Sequence, residues 1–234
     1  MINQLISELK DVSSPEKARI QSSFFKTGKG EYGEGDIFIG ITTPDQRKIS
    51  KKYALLTLEH VSELLNSKIH EHRSIALFIL LEKYKENKKQ IVDFYLNHTS
   101  NINNWDLVDL SAYKILGDYL LDKDRKILYK LAQSSNLWEK RISIIATFAF
   151  IRNNEFEDTI RISKILLNDK HDLIQKAVGW MLREVGKKDQ DLEEEFLTNN
   201  SKEISRTTLR YAIEKFNKEE QNRFLTMNKY NLRT

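Results

Sequence analysis

The sequence predicts an all-α fold, and three observations carry that reading. Both prolines, Pro15 and Pro44, fall early, so residues 53–234 contain none; a helix interior excludes proline because the ring removes a donor and clashes with the preceding turn. Through the same stretch apolar residues recur every three to four positions, the period of a helix with one buried face. The helices also arrive in pairs. Aligning the second helix of successive pairs puts Arg73, Asp109, Arg141 and Lys176 at one equivalent position, at spacings of 36, 32 and 35 residues. A two-helix repeat of that length is the signature of an α-solenoid. The Trp/Gly/Tyr pattern of tetratricopeptide repeats is missing, so antiparallel HEAT-like pairs are predicted.

Taken in order, residues 2–11 place Ile2, Leu5, Ile6 and Leu9 on one helical stripe. Ser14 is a good N-cap and Pro15 fits the first helical position, so a second helix runs toward Phe24 and Phe25. Next comes K-T-G-K-G-E-Y-G-E-G-D, residues 26–36, with four of the eight glycines. It reads as a mobile surface loop, with a loop that orders around a ligand or DNA backbone as the second reading. No G-K-[ST] closes it as a phosphate loop, and no strand–Gly–helix unit surrounds it as a dinucleotide site. A short apolar piece, residues 37–41, leads to a helix capped by Thr43 and opened by Pro44. Helix pairs follow at 57–67 with 69–86, 88–98 with 104–121, 122–134 with 137–152 and 155–168 with 171–187, then a last unit at 190–226. One HEAT-like-repeat domain over 1–234 is expected, with the N-terminal helices and the glycine loop in 1–53 and the repeats in 54–234.

Composition narrows the function classes. Cysteine is absent, which excludes disulfide frameworks and thiolate metal sites. No apolar run approaches the ~20 residues of a membrane span. The start, M-I-N-Q-L-I-S-E-L-K, mixes charge and polarity too early for a secretory signal, so a cytoplasmic location is expected. The net charge of +4 permits a basic face without itself establishing nucleic-acid binding. H-E-H at 70–72 spaces its histidines two apart, so on a helix they diverge and cannot share a metal, and H-E-x-x-H is absent.

The chemistry concentrates in N-N-W-D-L-V-D, residues 103–109. Trp105, Asp109 and Tyr113 are four apart and share a helical face; Lys176, Trp180 and Arg183 do so in the fourth pair. Equivalent positions on second helices line the inner surface of a solenoid. A basic concave groove holding aromatics, one carboxylate and several cations is therefore expected, suited to a polyanion and to stacked bases or sugars. Trp138, in contrast, reads as core packing.

W-D-L-V-D at 105–109, N-L-W-E-K-R at 136–141 and I-Q-K-A-V-G-W-M-L-R-E at 174–184 resemble the AlkD-type DNA glycosylases, HEAT-like-repeat DNA alkylation repair enzymes, over nearly the whole chain. P-D-Q-R at 44–47 and I-S-R at 204–206 add to the resemblance. It implies base excision repair of cationic N3- and N7-alkylated purines in double-stranded DNA. Asp109 would be the catalytic carboxylate, with Trp105 and Trp180 flanking the damaged nucleotide and Arg141 and Tyr113 beside it. Arg183, Lys176, Arg73, Arg47 and Arg206 are the expected backbone contacts. The glycine-rich loop departs from the family by its length. No metal, cofactor or membrane is required, and a monomer is expected. The alternative is a non-catalytic HEAT-repeat protein that binds unusual DNA structures.

Overall fold

The computed structural model describes residues 1–231, with side chains to 227, and within them the secondary structure is helical apart from one isolated bridge between Ile37 and Ile69. The chain divides into two compact units, one ending at Ser111 and one beginning at Ala112.

The first unit holds α1 (Ile2–Asp11), α2 (Pro15–Phe24), α3 (Thr43–Lys52), α4 (Leu58–Leu65), α5 (His70–Tyr84), α6 (Lys88–Asn97) and the start of α7 (Trp105–Ala112). Its centre is α5, where Ile75, Ala76, Leu77, Ile79 and Leu80 are fully or almost fully buried and α3, α4 and α6 pack around it. A helix apolar on nearly every side belongs inside rather than on a surface. Ser14 caps α2 through Lys17 N–H as expected, whereas α3 is capped by Thr42, one residue before the expected Thr43. Thr42 has the extended backbone that an N-cap needs, and its hydroxyl accepts from Asp45 N–H.

The glycine-rich segment 26–36 is not the loose loop that its composition suggests. Consecutive turns close it, with Glu31 N–H donating to Gly28 O, Glu34 N–H to Glu31 O, and Asp36 N–H to Gly33 O. The carboxylates of Glu31 and Glu34 accept from Gly28 and Gly30 N–H at 2.9 and 2.7 Å. At Gly33 a Cβ would stand 2.4 Å from the Phe25 carbonyl oxygen, so glycine there serves close backbone approach.

The second unit holds α8 (Lys126–Ala132), α9 (Leu137–Ala146), α10 (Phe148–Arg152), α11 (Glu157–Leu166), α12 (Asp172–Gly186), α13 (Gln190–Asn199), α14 (Arg206–Ala212) and α15 (Lys218–Asn231). The predicted pairs α4 with α5, α8 with α9 and α11 with α12 do pack as neighbours. Two long helices are interrupted where periodicity alone gave no warning. The expected helix 137–152 breaks at Thr147, whose hydroxyl donates to the Ile144 carbonyl at 2.7 Å and takes it from the helical ladder. The expected helix 104–121 passes from α7 into a π turn, Tyr113–Gly117. A Cβ on Gly117 would lie 2.2 Å from Ala146 O, so this turn and α9 cross almost backbone to backbone.

Candidate active site

Asn104, fully buried, opens α7 by accepting from Trp105 N–H at 2.8 Å. Trp105 and Asp109 follow on one face, one turn apart and both partly exposed. The indole N–H of Trp105 donates to the Tyr32 hydroxyl at 3.2 Å. Its ring stacks on Phe25 at 5.2 Å and 19° and meets Phe24 edge-on at 5.9 Å. The glycine-rich segment and the end of α2 thus supply a wall that the sequence reading did not assign to the site. The available signal was the aromatic trio Phe24, Phe25 and Tyr32, two just before the glycines and one among them.

Behind Asp109 sits Tyr95, fully buried, 3.0 Å from Ser111 Oγ, which itself donates to the Leu107 carbonyl at 2.6 Å. Burial first, and the Asp109 charge after it, push the Tyr95 phenol up, with the Ser111 contact opposing. A neutral phenol therefore lies within the field of the carboxylate.

Next to Trp105 in sequence, Asp106 Oδ2 contacts His70 Nε2 at 2.8 Å. The other ring nitrogen of His70 faces Asp36 Oδ2 at 3.2 Å, and Arg73 bridges to the same Asp36 oxygen at 2.7 Å. His70 is driven up to about 9: burial opposes protonation, but the Asp106 charge and hydrogen bonds to Asp106 and Asp36 outweigh it. Glu71 is fully buried and accepts from the backbone N–H groups of Ile39, Gly40 and Ile41 at 3.1, 2.8 and 3.3 Å. H-E-H is therefore a structural hub that fixes the approach to α3 and α7.

In the second unit Tyr113 meets Phe148 edge-on at 5.3 Å, and Phe148 lies 6.2 Å from Trp180. Phe148 thus links Tyr113 and Trp180 within the second unit, a connection that spacing could not reveal because the break at Thr147 resets the helical phase. Trp180 donates from Nε1 to Glu184 at 3.1 Å. Trp138 is buried, as its position at a helix start suggests.

The cations do not form the open row that repeat equivalence predicts. Arg73 is 3% exposed, and besides Asp36 it donates to the Ser67 carbonyl at 2.8 Å. Arg141 is 5% exposed and donates to the Leu173 carbonyl at 2.6 Å. Each occupies the repeat-equivalent position but points its guanidinium at a backbone carbonyl, that of Ser67 outside any helix for Arg73 and that of Leu173 in the first turn of α12 for Arg141. Arg73 is therefore withdrawn from backbone contact, and Arg141 is held by the protein itself. Arg183 pairs with Glu214 and Glu184, and Lys176 with Asp172 at 2.6 Å. Arg47 is exposed over the Phe78 ring at 5.0 Å, and Arg206 is exposed while donating to Leu225 O at 2.8 Å. Among the described residues no group of three or more His, Asp and Glu side chains is placed to hold a metal ion, and no helix is long and apolar enough to cross a membrane.

A sequence profile described as "DNA alkylation repair enzyme" matches residues 5–216. The chain belongs to the DNA alkylation repair enzyme family. Membership gives the protein a role in DNA repair. Solved structures agree at the level of the fold. A predicted DNA alkylation repair enzyme from Enterococcus faecalis superposes with a TM-score of 0.72 at 19% identity, covering 88% of this chain and 97% of that one. AlkD2 from Streptococcus mutans gives 0.57 at 21% identity, covering 93% and 100%. The protein smu.31 from Streptococcus mutans UA159 gives 0.55 at 23%, covering 92% and 98%. These likenesses place the chain in the HEAT-like helical-repeat fold of AlkD-type proteins. Comparison with curated proteins returns no match.

Proposed function

We propose that this family member is a DNA glycosylase that hydrolyses the N-glycosidic bond of cationic N3- or N7-alkylated purines in duplex DNA. The observation that carries the reading is the pairing on α7 of a partly exposed carboxylate, Asp109, with a partly exposed indole, Trp105, one turn away on the same face. The substrate class follows from what those groups can supply. An alkylated purine already bears positive charge, so it leaves as a neutral base when the C1′–N bond breaks and takes the electron pair. No strong general acid is needed. What remains is an oxocarbenium-like sugar, which a nearby carboxylate stabilises by charge. Water then bonds to C1′, and Asp109 orients it and accepts its proton. Trp105 excludes bulk water and favours the cationic base and sugar by its ring face. Within the second unit Tyr113, Phe148 and Trp180 form an aromatic cluster of their own.

The helical neighbours of Asp109 at three and four residues are Asp106, Trp105, Ala112 and Tyr113. No amine stands among them, so a monofunctional hydrolytic enzyme without Schiff-base lyase chemistry is the corresponding proposal. Arg47, Arg206, Lys176 and Arg183 are the proposed phosphate contacts, the last two after exchanging their acidic partners for DNA.

The deciding experiment is release of 7-methylguanine from methylated duplex DNA. Wild type should release it, and Asp109→Asn should retain duplex binding while losing at least ~100-fold in rate, the scale of a transition-state charge contact. Full activity in Asp109→Asn sinks the assignment. Duplex binding by wild type with no base release at all would replace it with the non-catalytic DNA-binding reading.

A further inference from the structure

We propose that His70, bridging Asp36 and Asp106, is the positioning residue for Trp105: it ties the first turn of α7 to the glycine-rich segment. Its bearing on catalysis rests on the proposed glycosylase site, while the bridge itself is geometry. Asp106 precedes the Asp109 turn and adjoins Trp105 in the chain, so whatever pins the Asp106 carboxylate pins the start of α7. His70 Nε2 does this at 2.8 Å from an imidazole that is almost wholly buried. The second anchor, Asp36, closes the glycine-rich segment, whose Tyr32 receives the Trp105 indole N–H.

A third route runs through ring faces. His70 lies 4.5 Å from Phe38 and 5.1 Å from Phe25, and Phe25 carries the stacked Trp105.

The bridge requires a charged ring. A neutral imidazole has one N–H, yet both nitrogens of His70 face carboxylate oxygens, so only the imidazolium can donate to both. Four charged groups meet here: Asp36 from the glycine-rich segment, Asp106 from α7, and His70 and Arg73 from α5, with Arg73 Nη2 3.5 Å from the ring. Two positive and two negative charges balance while His70 is protonated. Loss of that proton leaves a buried net negative charge, turns one lone pair toward a carboxylate, and removes the cation from the faces of Phe25 and Phe38. Asp106 or Asp36 is then released, and Trp105 loses a fixed support.

The test uses the full chain labelled with 5-fluorotryptophan, the Trp105 fluorine resonance being identified by its loss in Trp105→Phe. From pH 7 to 10 the Trp105 resonance should move with a midpoint near 9, the value to which His70 is raised, while the Trp138 resonance and far-UV circular dichroism stay constant. Asp106→Asn, which keeps one carboxylate partner, should lower that midpoint by at least one pH unit. His70→Gln should hold Trp105 at its high-pH position at every pH. Base release from methylated DNA should fall through the same midpoint. A Trp105 resonance that is flat over this range overturns the proposal. So does one that keeps its midpoint in Asp106→Asn, or one that moves only with all three tryptophans as circular dichroism is lost. If wild type releases no alkylated base at any pH, the glycosylase reading fails and the fluorine titration still decides the role of His70.

Discussion

Arg141→Ala separates two accounts of one side chain. If its guanidinium served a phosphate, alanine would weaken DNA binding and reduce the dependence of log K on log salt by ~1. The structure instead shows it 5% exposed and donating to Leu173 O at 2.6 Å. Removing the donor breaks a part-buried, charge-assisted hydrogen bond, a cost of ~1–3 kcal/mol, and empties the space of the aliphatic stem for ~1 kcal/mol more. A loss of ~2–4 kcal/mol follows, which in a chain of this length lowers Tm by ~5–15 °C. Urea and thermal unfolding measure that loss, and fluorescence anisotropy on a short duplex at several salt concentrations measures the slope. The expected pattern is a destabilised protein with an unchanged slope for its folded fraction. Stability within ~0.5 kcal/mol of wild type together with a slope reduced by ~1 would refute the structural role and return Arg141 to the DNA.

Further outcomes follow from other contacts. Tyr32→Phe removes the acceptor of the Trp105 indole N–H, costing ~1 kcal/mol; amide exchange across residues 26–36 should speed up, and unchanged exchange would show that the segment does not depend on that tether. Glu193 is almost wholly buried, and burial, joined by the Glu194 and Glu184 charges against that of Arg183, pushes it up to about 9. The folded state then keeps a proton that the unfolded chain releases above about pH 4.5, so stability falls as pH rises from there toward 9, by roughly 3 kcal/mol at pH 7. Glu193→Gln should flatten that decline in urea titrations at pH 5 and 8, and equal slopes in both proteins would contradict it. Gly117→Ala puts a methyl 2.2 Å from Ala146 O; unfolding should become easier by several kcal/mol, ~2–4, and a wild-type melting curve would show that the crossing with α9 is looser than described.

The sequence made the fold legible because helix formation here is local. The 3.6-residue stripes, Ser14 before Pro15 and the proline-free body report themselves without tertiary information. The Trp105–Asp109 pairing was legible for the same reason, since one helical turn fixes which residues share a face. Places where a side chain competes with the ladder were not. Thr147 breaks α9 from α10 through a hydroxyl-to-carbonyl bond, and the turn at Tyr113–Gly117 widens where Gly117 meets α9. Neither leaves a mark in hydrophobic period.

Residue type and repeat position by themselves established an all-helical chain of paired elements and put an indole beside a carboxylate on α7. They also aligned Arg73 and Arg141 with Asp109, but equivalence along the chain does not tell which way a guanidinium turns. That was decided by the carbonyl acceptors at Ser67 and Leu173 and by the buried Asp36 carboxylate. The glycine-rich segment shows the same division: its composition announces freedom, while Tyr32 and Asp36 hold it to Trp105 and His70. Burial makes an unmet donor or acceptor costly, so the pairing of polar groups, which only the folded chain brings together, chose the partners that the sequence left open.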